Sequence, residues 1–145
     1  MKTNTTEKVS LCPSARPTLN SSVVFGVVGG TVDLPRVVYL KQTLDVTEEL
    51  ISKVHPVTPA EVFRSASPCE TNNCQHFDGT NCRLASRVAK QLPVVTSQLP
   101  SCPIRRDCQW WAQEGSVACF RCPQIVTDNY SPSSLMKEVS LPTNL

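Results

Sequence analysis

The hydrophobic residues in the first half of the chain form two short runs that are typical of β-strands. The runs are SVVFGVVG at residues 22–29 and RVVYLKQTL at residues 36–44, and both are rich in β-branched and aromatic side chains. The segment between them, GTVDLP, contains the glycine, aspartate and proline that favour a turn. The pattern therefore predicts two antiparallel strands joined as a β-hairpin.

Two short helices are predicted after the hairpin. Residues 45–54 begin with a capping aspartate or threonine, carry acidic residues in the first turn and end with a lysine followed by a valine. Residues 58–66 begin with Thr58 as a cap, have Pro59 at the first helical position and carry a glutamate three residues after the cap. We expect the second helix to end before Pro68.

The pattern changes after residue 68, where short helical fragments alternate with loops. Leu84, Val88 and Leu92 recur at every fourth position and define one face of a predicted helix. The segment RDCQWWAQEG, at residues 106–115, predicts two further helical turns that end at its glycine.

The whole chain is expected to form one small α+β domain, since 145 residues suit a single domain. Its predicted sections are a flexible lead with Cys12 (1–20), a β-hairpin with short helices (21–68), a cysteine-rich, loop-dominated, metal-binding region (69–128) and a mobile tail (129–145).

Composition and charge disfavour several classes of function. The formal net charge is +2, so no strong field attracts the chain to nucleic acid or to a membrane surface. No apolar run is long enough to span a bilayer. The first residues lack the apolar core of a secretory signal, so we expect a cytoplasmic protein in a reducing compartment. Clustered cysteines in such a compartment more often bind metal or do chemistry than form disulfides.

The eight cysteines are the most informative feature of the sequence. The last four are close together along the chain and are assigned to a first metal site, made of Cys102, Cys108, Cys119 and Cys122. The others are assigned to a second site, for which His76 is an alternative ligand, made of Cys12, Cys69, Cys74 and Cys82. Two sites of four ligands each are therefore predicted from number and spacing.

Three chemistries are compatible with this spacing. Zinc usually takes pairs of ligands two to four residues apart; Cys119 and Cys122 form such a pair, whereas Cys102 and Cys108 are too far apart. An iron–sulfur cluster is larger and accepts thiolates from less regular spacings. Three of the cysteines directly precede proline, as occurs in bacterial ferredoxin ligand runs. The pattern favours a [4Fe–4S] cluster over zinc, and an exported disulfide-rich protein stays as a further alternative.

The residues beside the cysteines add weaker predictions. Asp78 and Gly79 predict a turn next to His76. One of Trp110 and Trp111 is expected to shield the first site from water, because neighbours on a helix face different ways.

No catalytic pattern in the sequence outweighs metal ligation. Cys82 precedes Arg83 at the predicted start of a helix, which could lower the pKa of its thiol, but the residue fits better as a ligand. We therefore expect a non-catalytic metal-cluster protein that transfers electrons or docks as a cluster-bearing subunit on a larger enzyme or regulator. The competing hypothesis is a zinc-stabilised interaction module without a redox role.

Overall fold

The computed structural model describes residues 10–31, 34–70, 74–127 and 132–140. Within these residues a four-stranded sheet lies against several short helices, which confirms the predicted α+β class. The strands are β1 (Leu11–Ala15), β2 (Val23–Gly30), β3 (Pro35–Asp45) and β4 (Phe63–Pro68). The helices are α1 (Glu48–Val54), α2 (Pro59–Val62), α3 (Arg83–Gln91), α4 (Gln109–Glu114), α5 (Ser116–Cys119) and α6 (Ser134–Ser140). Two 3-10 turns span Arg105–Asp107 and Cys122–Gln124.

The sheet has the strand order β1–β4–β2–β3, and all neighbouring strands are antiparallel. β2 and β3 form the predicted hairpin. Gly26 lies at a shift in the register of β2, and a Cβ at this position would be 2.6 Å from Val37 Cγ1, so the close approach of the strands requires glycine. The hairpin brings Phe25 and Tyr39 against the core shared with the helical half.

β4 corrects the prediction of a helix over residues 58–66. Helix α2 ends at Val62, and the chain continues as a strand that pairs with β2 on one side and with β1 on the other. Pairing on both sides provides backbone hydrogen bonds and buries Arg64, Ser65 and Ala66, which outweighs the helical propensity of the segment.

β1 lies in the lead, for which the sequence predicts a loop. Leu11 pairs with Pro68 and Cys12 pairs with Ser67. β1 is hydrogen-bonded to β4 at one edge of the sheet, and this pairing brings Cys12 next to the end of β4. Residues 1–9 of the predicted lead lie outside the described residues.

The helical half packs on the sheet around Trp110, which is 2% exposed and belongs to the same core cluster as Phe25. The predicted face of α3 is buried, because Leu84, Val88 and Leu92 all belong to that cluster. α3 and α4 therefore confirm the helices predicted from hydrophobic spacing and from the QWWAQEG segment.

α1 also begins as predicted, since the Thr47 hydroxyl oxygen accepts a hydrogen bond of 3.1 Å from the Leu50 N–H. None of the helices in the described ranges is both long and apolar enough to cross a membrane.

α6 lies in the tail that the sequence predicts to be mobile. Val139 is fully buried in the core cluster, and its carbonyl oxygen accepts a hydrogen bond of 2.7 Å from Arg87 Nε on α3. These contacts attach the helix to α3, and nothing in the hydrophobic pattern predicts them. Residues 128–131 and 141–145 lie outside the described residues.

Candidate metal centres

The eight cysteines all lie in the described part of the chain, all are free thiols, and they line two cavities. The inner cavity, of about 20 Å³, is lined by one set of four: Cys102, Cys108, Cys119 and Cys122. The outer cavity, of about 410 Å³, is lined by the other set: Cys12, Cys69, Cys74 and Cys82. The structure thus brings together the same two sets that the sequence assigns to two sites.

The thiols share these cavities without forming a compact site for a single ion. Among the residues that the structure describes, no three histidine, cysteine, aspartate or glutamate side chains converge tightly enough to hold one metal ion.

Short turns position the thiols of the inner cavity. Cys102 and Cys108 flank the 3-10 turn between them, and Cys108 is also the residue before α4. Cys119 ends α5, and Cys122 begins the last 3-10 turn three positions later, so one tight turn brings both thiols to the same wall. Aromatic rings of Phe25, Tyr39, Trp110 and Trp111 complete the lining.

Elements far apart in sequence position the thiols of the outer cavity. Cys12 belongs to β1, and Cys69 directly follows β4, where its N–H donates a hydrogen bond of 2.7 Å to the Ser10 carbonyl. Cys74 lies in the turn that follows, and Cys82 is the residue before α3. The correct pairing of β1 with β4 is therefore a condition for this set to assemble.

Burial raises the pKa of some of the thiols in each cavity, namely Cys102, Cys108 and Cys119 in the inner one and Cys12 and Cys82 in the outer one. Burial raises the pKa of Cys108 to about 12, with contributions from two other thiols of the inner set. Burial also raises the pKa of Cys12 to about 11, with contributions from the three other thiols of the outer set. Without a cation nearby, these thiols stay protonated at neutral pH, and several thiolates together would repel one another.

Arg64 is a fully buried cation on β4, with no exposed surface. Its Nε donates a hydrogen bond of 2.8 Å to the Pro13 carbonyl, and its Nη1 donates bonds of 3.0 Å to the carbonyls of Cys122 and Ile125. Its Nη2 donates to Cys122 Sγ at 3.1 Å. Although burial opposes the charge of Arg64, the nearby Cys122 thiol helps to raise its pKa overall. The guanidinium therefore lies between Pro13, which follows Cys12, and Cys122 of the inner cavity.

Tyr39 lines the inner cavity together with Cys122. Burial raises the pKa of this half-buried tyrosine, as does the proximity of Cys122. The neutral hydroxyl group is therefore its stable form.

Trp110 forms part of the wall of both cavities. Its Nε1–H is buried and has no hydrogen-bond acceptor among the described residues. A buried tryptophan N–H usually finds a partner, so an acceptor from a bound group would satisfy it. Trp111, which also lines the inner cavity, stacks under Arg105 with the guanidinium carbon 5.5 Å from the ring centroid.

His76 lies in the wall of the outer cavity, and one of its ring nitrogens is already hydrogen-bonded to Arg87. Arg87 Nη2 lies 3.0 Å from His76 Nδ1. Because arginine can only donate, Nδ1 accepts this bond and the neutral ring carries its proton on Nε2. The predicted turn beside His76 is confirmed, since Asp78 Oδ1 accepts hydrogen bonds from the N–H groups of Thr80 and Asn81.

Sequence reasoning missed Arg64 and Tyr39 as neighbours of the thiols. Arg64 lay in a predicted helix and Tyr39 in a predicted strand, and neither is close to a cysteine along the chain. The pairing of β4 with β1 and β2 places Arg64 beside Cys122, and no local signal encodes that pairing.

Comparison with known proteins gives no relative for this arrangement. No protein-family model matches the chain, and no curated protein or solved structure is significantly similar to it.

Proposed function

We propose that the two cysteine sets ligate iron–sulfur clusters and that the protein transfers electrons, alone or as a cluster-bearing subunit docked on a larger enzyme or regulator. The observation that carries this proposal is the partition of eight free thiols into two cavities, each lined by four. Four cysteine thiolates are the ligand set of a [4Fe–4S] cluster. When bound, such a cluster accepts and releases one electron at a time.

The charge balance of the inner cavity supports a bound cation. Four thiols in a largely apolar wall gain nothing from one another, and their thiolates would be costly to bury together. A metal centre removes that cost by coordinating the thiolates directly. The buried guanidinium of Arg64 then offsets the negative charge that remains on a centre held by four thiolates.

The size of the outer cavity favours a cluster over zinc. Zinc holds its sulfur ligands about 2.3 Å away, which leaves no space for a water-sized group between them. The inner cavity of about 20 Å³ has space for roughly one such group, and the outer cavity of about 410 Å³ has space for many. The outer cavity is therefore larger than a tetrathiolate zinc site requires, whereas the inner cavity is closer to the size of a single-ion site than to that of a cubane cluster.

The unpaired N–H of Trp110 also supports a bound group with acceptor atoms. Trp110 is 2% exposed, lies in the wall of both cavities and has no acceptor for Nε1–H among the described residues. The sulfur atoms of a cluster accept hydrogen bonds from the protein. Zinc coordinated by four cysteines offers only the ligand sulfurs themselves.

Cys12 is the fourth ligand of the outer set in this proposal, and His76 is not. A ligating histidine normally donates its second ring N–H to a protein acceptor. His76 does the opposite, because its Nδ1 accepts from Arg87 and the remaining nitrogen carries the proton. Its Nε2–H can instead donate a hydrogen bond toward a group in the outer cavity.

An electron-transfer role requires a larger partner that approaches one of the centres. Val117 on α5 is 45% exposed and lies two positions before Cys119, so an apolar contact at this helix would bring a partner close to the inner set. We expect this to occur in the cytoplasm, where free thiols persist.

Spectroscopy of protein purified without oxygen tests the redox role. We expect a coloured protein whose visible absorption bleaches on reduction with dithionite and returns on reoxidation, with a paramagnetic signal in the reduced state. A colourless protein that contains zinc and gives no such signal would support the interaction-module alternative instead.

A further inference from the structure

A polar cleft of about 530 Å³ is lined by α3, by the turn at residues 78–81 before it and by the end of α4. This volume lies within the range of about 300–1,000 Å³ that is usual for small-molecule sites. Cys82, the residue before α3, lines both this cleft and the outer cavity. The cleft is therefore a neighbour of the outer thiols with a lining of its own.

Three basic residues of α3 line the cleft. Arg83, Arg87 and Lys90 recur at spacings of four and three, so they lie along one side of the helix. Arg87 is held in place, because it donates to the Val139 carbonyl at 2.7 Å and lies 3.0 Å from His76 Nδ1. The side chains of Arg83 and Lys90, by contrast, make no hydrogen bond and no ion pair in the described part of the chain.

The two acidic residues of the cleft already have hydrogen-bond donors. Asp78 Oδ1 accepts bonds of 2.9 and 2.7 Å from the N–H groups of Thr80 and Asn81. Glu114 Oε2 accepts a bond of 2.9 Å from Gln113 Nε2. The charged side chains that lack a hydrogen bond here are thus positive, and they suit an anionic ligand.

The wall opposite α3 is fixed by Gln113 of α4. Its Oε1 accepts a hydrogen bond of 2.8 Å from the Cys82 N–H, and its Nε2 donates one of 2.8 Å to the Cys82 carbonyl. This pair of bonds holds α4 against the start of α3. Because the walls are held by the protein's own contacts, a ligand would pay little to order them.

We propose that this cleft binds an organic phosphate of nucleotide size, whose phosphate groups lie between Arg83 and Lys90. Seven residues separate these two cations, which is about 10 Å along a helix, so a chain of two or three phosphates suits them better than one. Guanidinium and ammonium groups donate charge-assisted hydrogen bonds to phosphate oxygens. The amides of Asn81 and Gln91, which also line the cleft, offer donors and acceptors to the uncharged part of the ligand.

This site goes beyond the proposed function and does not depend on it, since no thiol and no metal takes part in binding. Isothermal titration calorimetry of the full chain tests it, with ATP, inorganic pyrophosphate and inorganic phosphate as probes and without divalent metal. We expect ATP to bind most tightly and inorganic phosphate most weakly. Arg83→Gln should lower the affinity for ATP at least about tenfold, and Lys90→Gln should lower it at least about threefold.

Lys53→Gln is the matched control. Lys53 is an exposed lysine in the last turn of α1 and is not part of the cleft, so the change removes the same charge elsewhere on the surface. We expect wild-type affinity for ATP in this variant. Circular dichroism checks that all three variants keep the fold. In nuclear magnetic resonance spectra of the wild type, the amide shifts caused by ATP should be largest in α3 and at residues 78–82.

The outcomes separate this inference from the proposed function. Wild-type protein that contains iron but does not bind ATP would refute this inference alone, whereas protein that binds ATP but contains no iron would refute the proposed function alone. Wild-type affinity in both Arg83→Gln and Lys90→Gln would also overturn the inference. So would an equal loss in Lys53→Gln, because ATP would then be attracted by the overall charge rather than held in the cleft.

Discussion

The Cys108→Ser variant should lose the inner centre, keep the outer one and be much less stable than the wild type. Cys108 is 8% exposed and lies in the wall of the inner cavity. A hydroxyl group is a poor ligand for iron, so the remaining thiols lose the cation that makes their grouping favourable. We expect about half of the iron to remain. The melting temperature should fall by more than about 10 °C, given roughly 2–8 °C per kcal/mol for domains of this general size.

Ala118→Ser provides the matched control for this variant. Ala118 is fully buried and lines the same cavity, so the change adds a hydroxyl group to the same wall without removing a thiol. We expect wild-type iron content and a loss of about 1–3 kcal/mol in the free energy of unfolding. If Cys108→Ser kept its full iron content, the assignment of Cys108 to a centre would be wrong.

Removal of the metal should unfold most of the cysteine-rich half. The helices between the cysteines are short, with nine residues in α3, six in α4 and four in α5. Isolated helices shorter than about 12 residues are marginal in water, so these depend on tertiary contacts and on ligation. Anaerobic treatment with an iron chelator should therefore reduce the helical circular dichroism and lower the melting temperature by more than about 10 °C.

Hydrogen exchange locates that effect within the chain. Amide protection should be lost first in α3, α4 and α5, while the hairpin of β2 and β3, whose strand pairing does not involve the cysteines, serves as the internal reference. Metal-free protein with unchanged dichroism, melting temperature and exchange would show that the fold does not depend on the centres.

The predicted elements that the structure confirms are those determined by neighbouring residues. The hairpin follows from two β-branched runs around a turn, the start of α1 from a Thr47 cap, and α3 from Leu84, Val88 and Leu92 on one face. Each of these signals is contained within about a dozen residues, so the sequence alone was enough.

The elements that were missed depend on contacts between distant parts of the chain. The capping signals at Thr58 and Pro59 lie at the start of α2, but pairing with β2 and β1 makes the following residues a strand, β4. β1 forms a strand because its backbone pairs with β4 at the edge of the sheet. α6 is attached through the burial of Val139 and the hydrogen bond from Arg87. No local pattern reports on partners that lie tens of residues away.

The candidate site also has one part that the sequence predicted and another that depends on contacts between distant residues. The grouping of cysteines into two sets followed from their number and order, and the structure brings each set to one cavity. The surroundings could not be anticipated, because Arg64 reaches Cys122 from 58 positions earlier in the chain and only through the sheet. Four cysteine thiolates can ligate either an iron–sulfur cluster or zinc, so the sequence and the fold limit the bound group to these two kinds of centre.

The content of iron, acid-labile sulfide and zinc in protein purified without oxygen tests the central claim most directly. Two [4Fe–4S] clusters predict about eight iron and about eight sulfide per chain, with little zinc. Zinc alone, at about one or two ions per chain, would contradict the cluster proposal and support the interaction module. Protein without either metal, with its cysteines paired as disulfides, would contradict metal binding altogether.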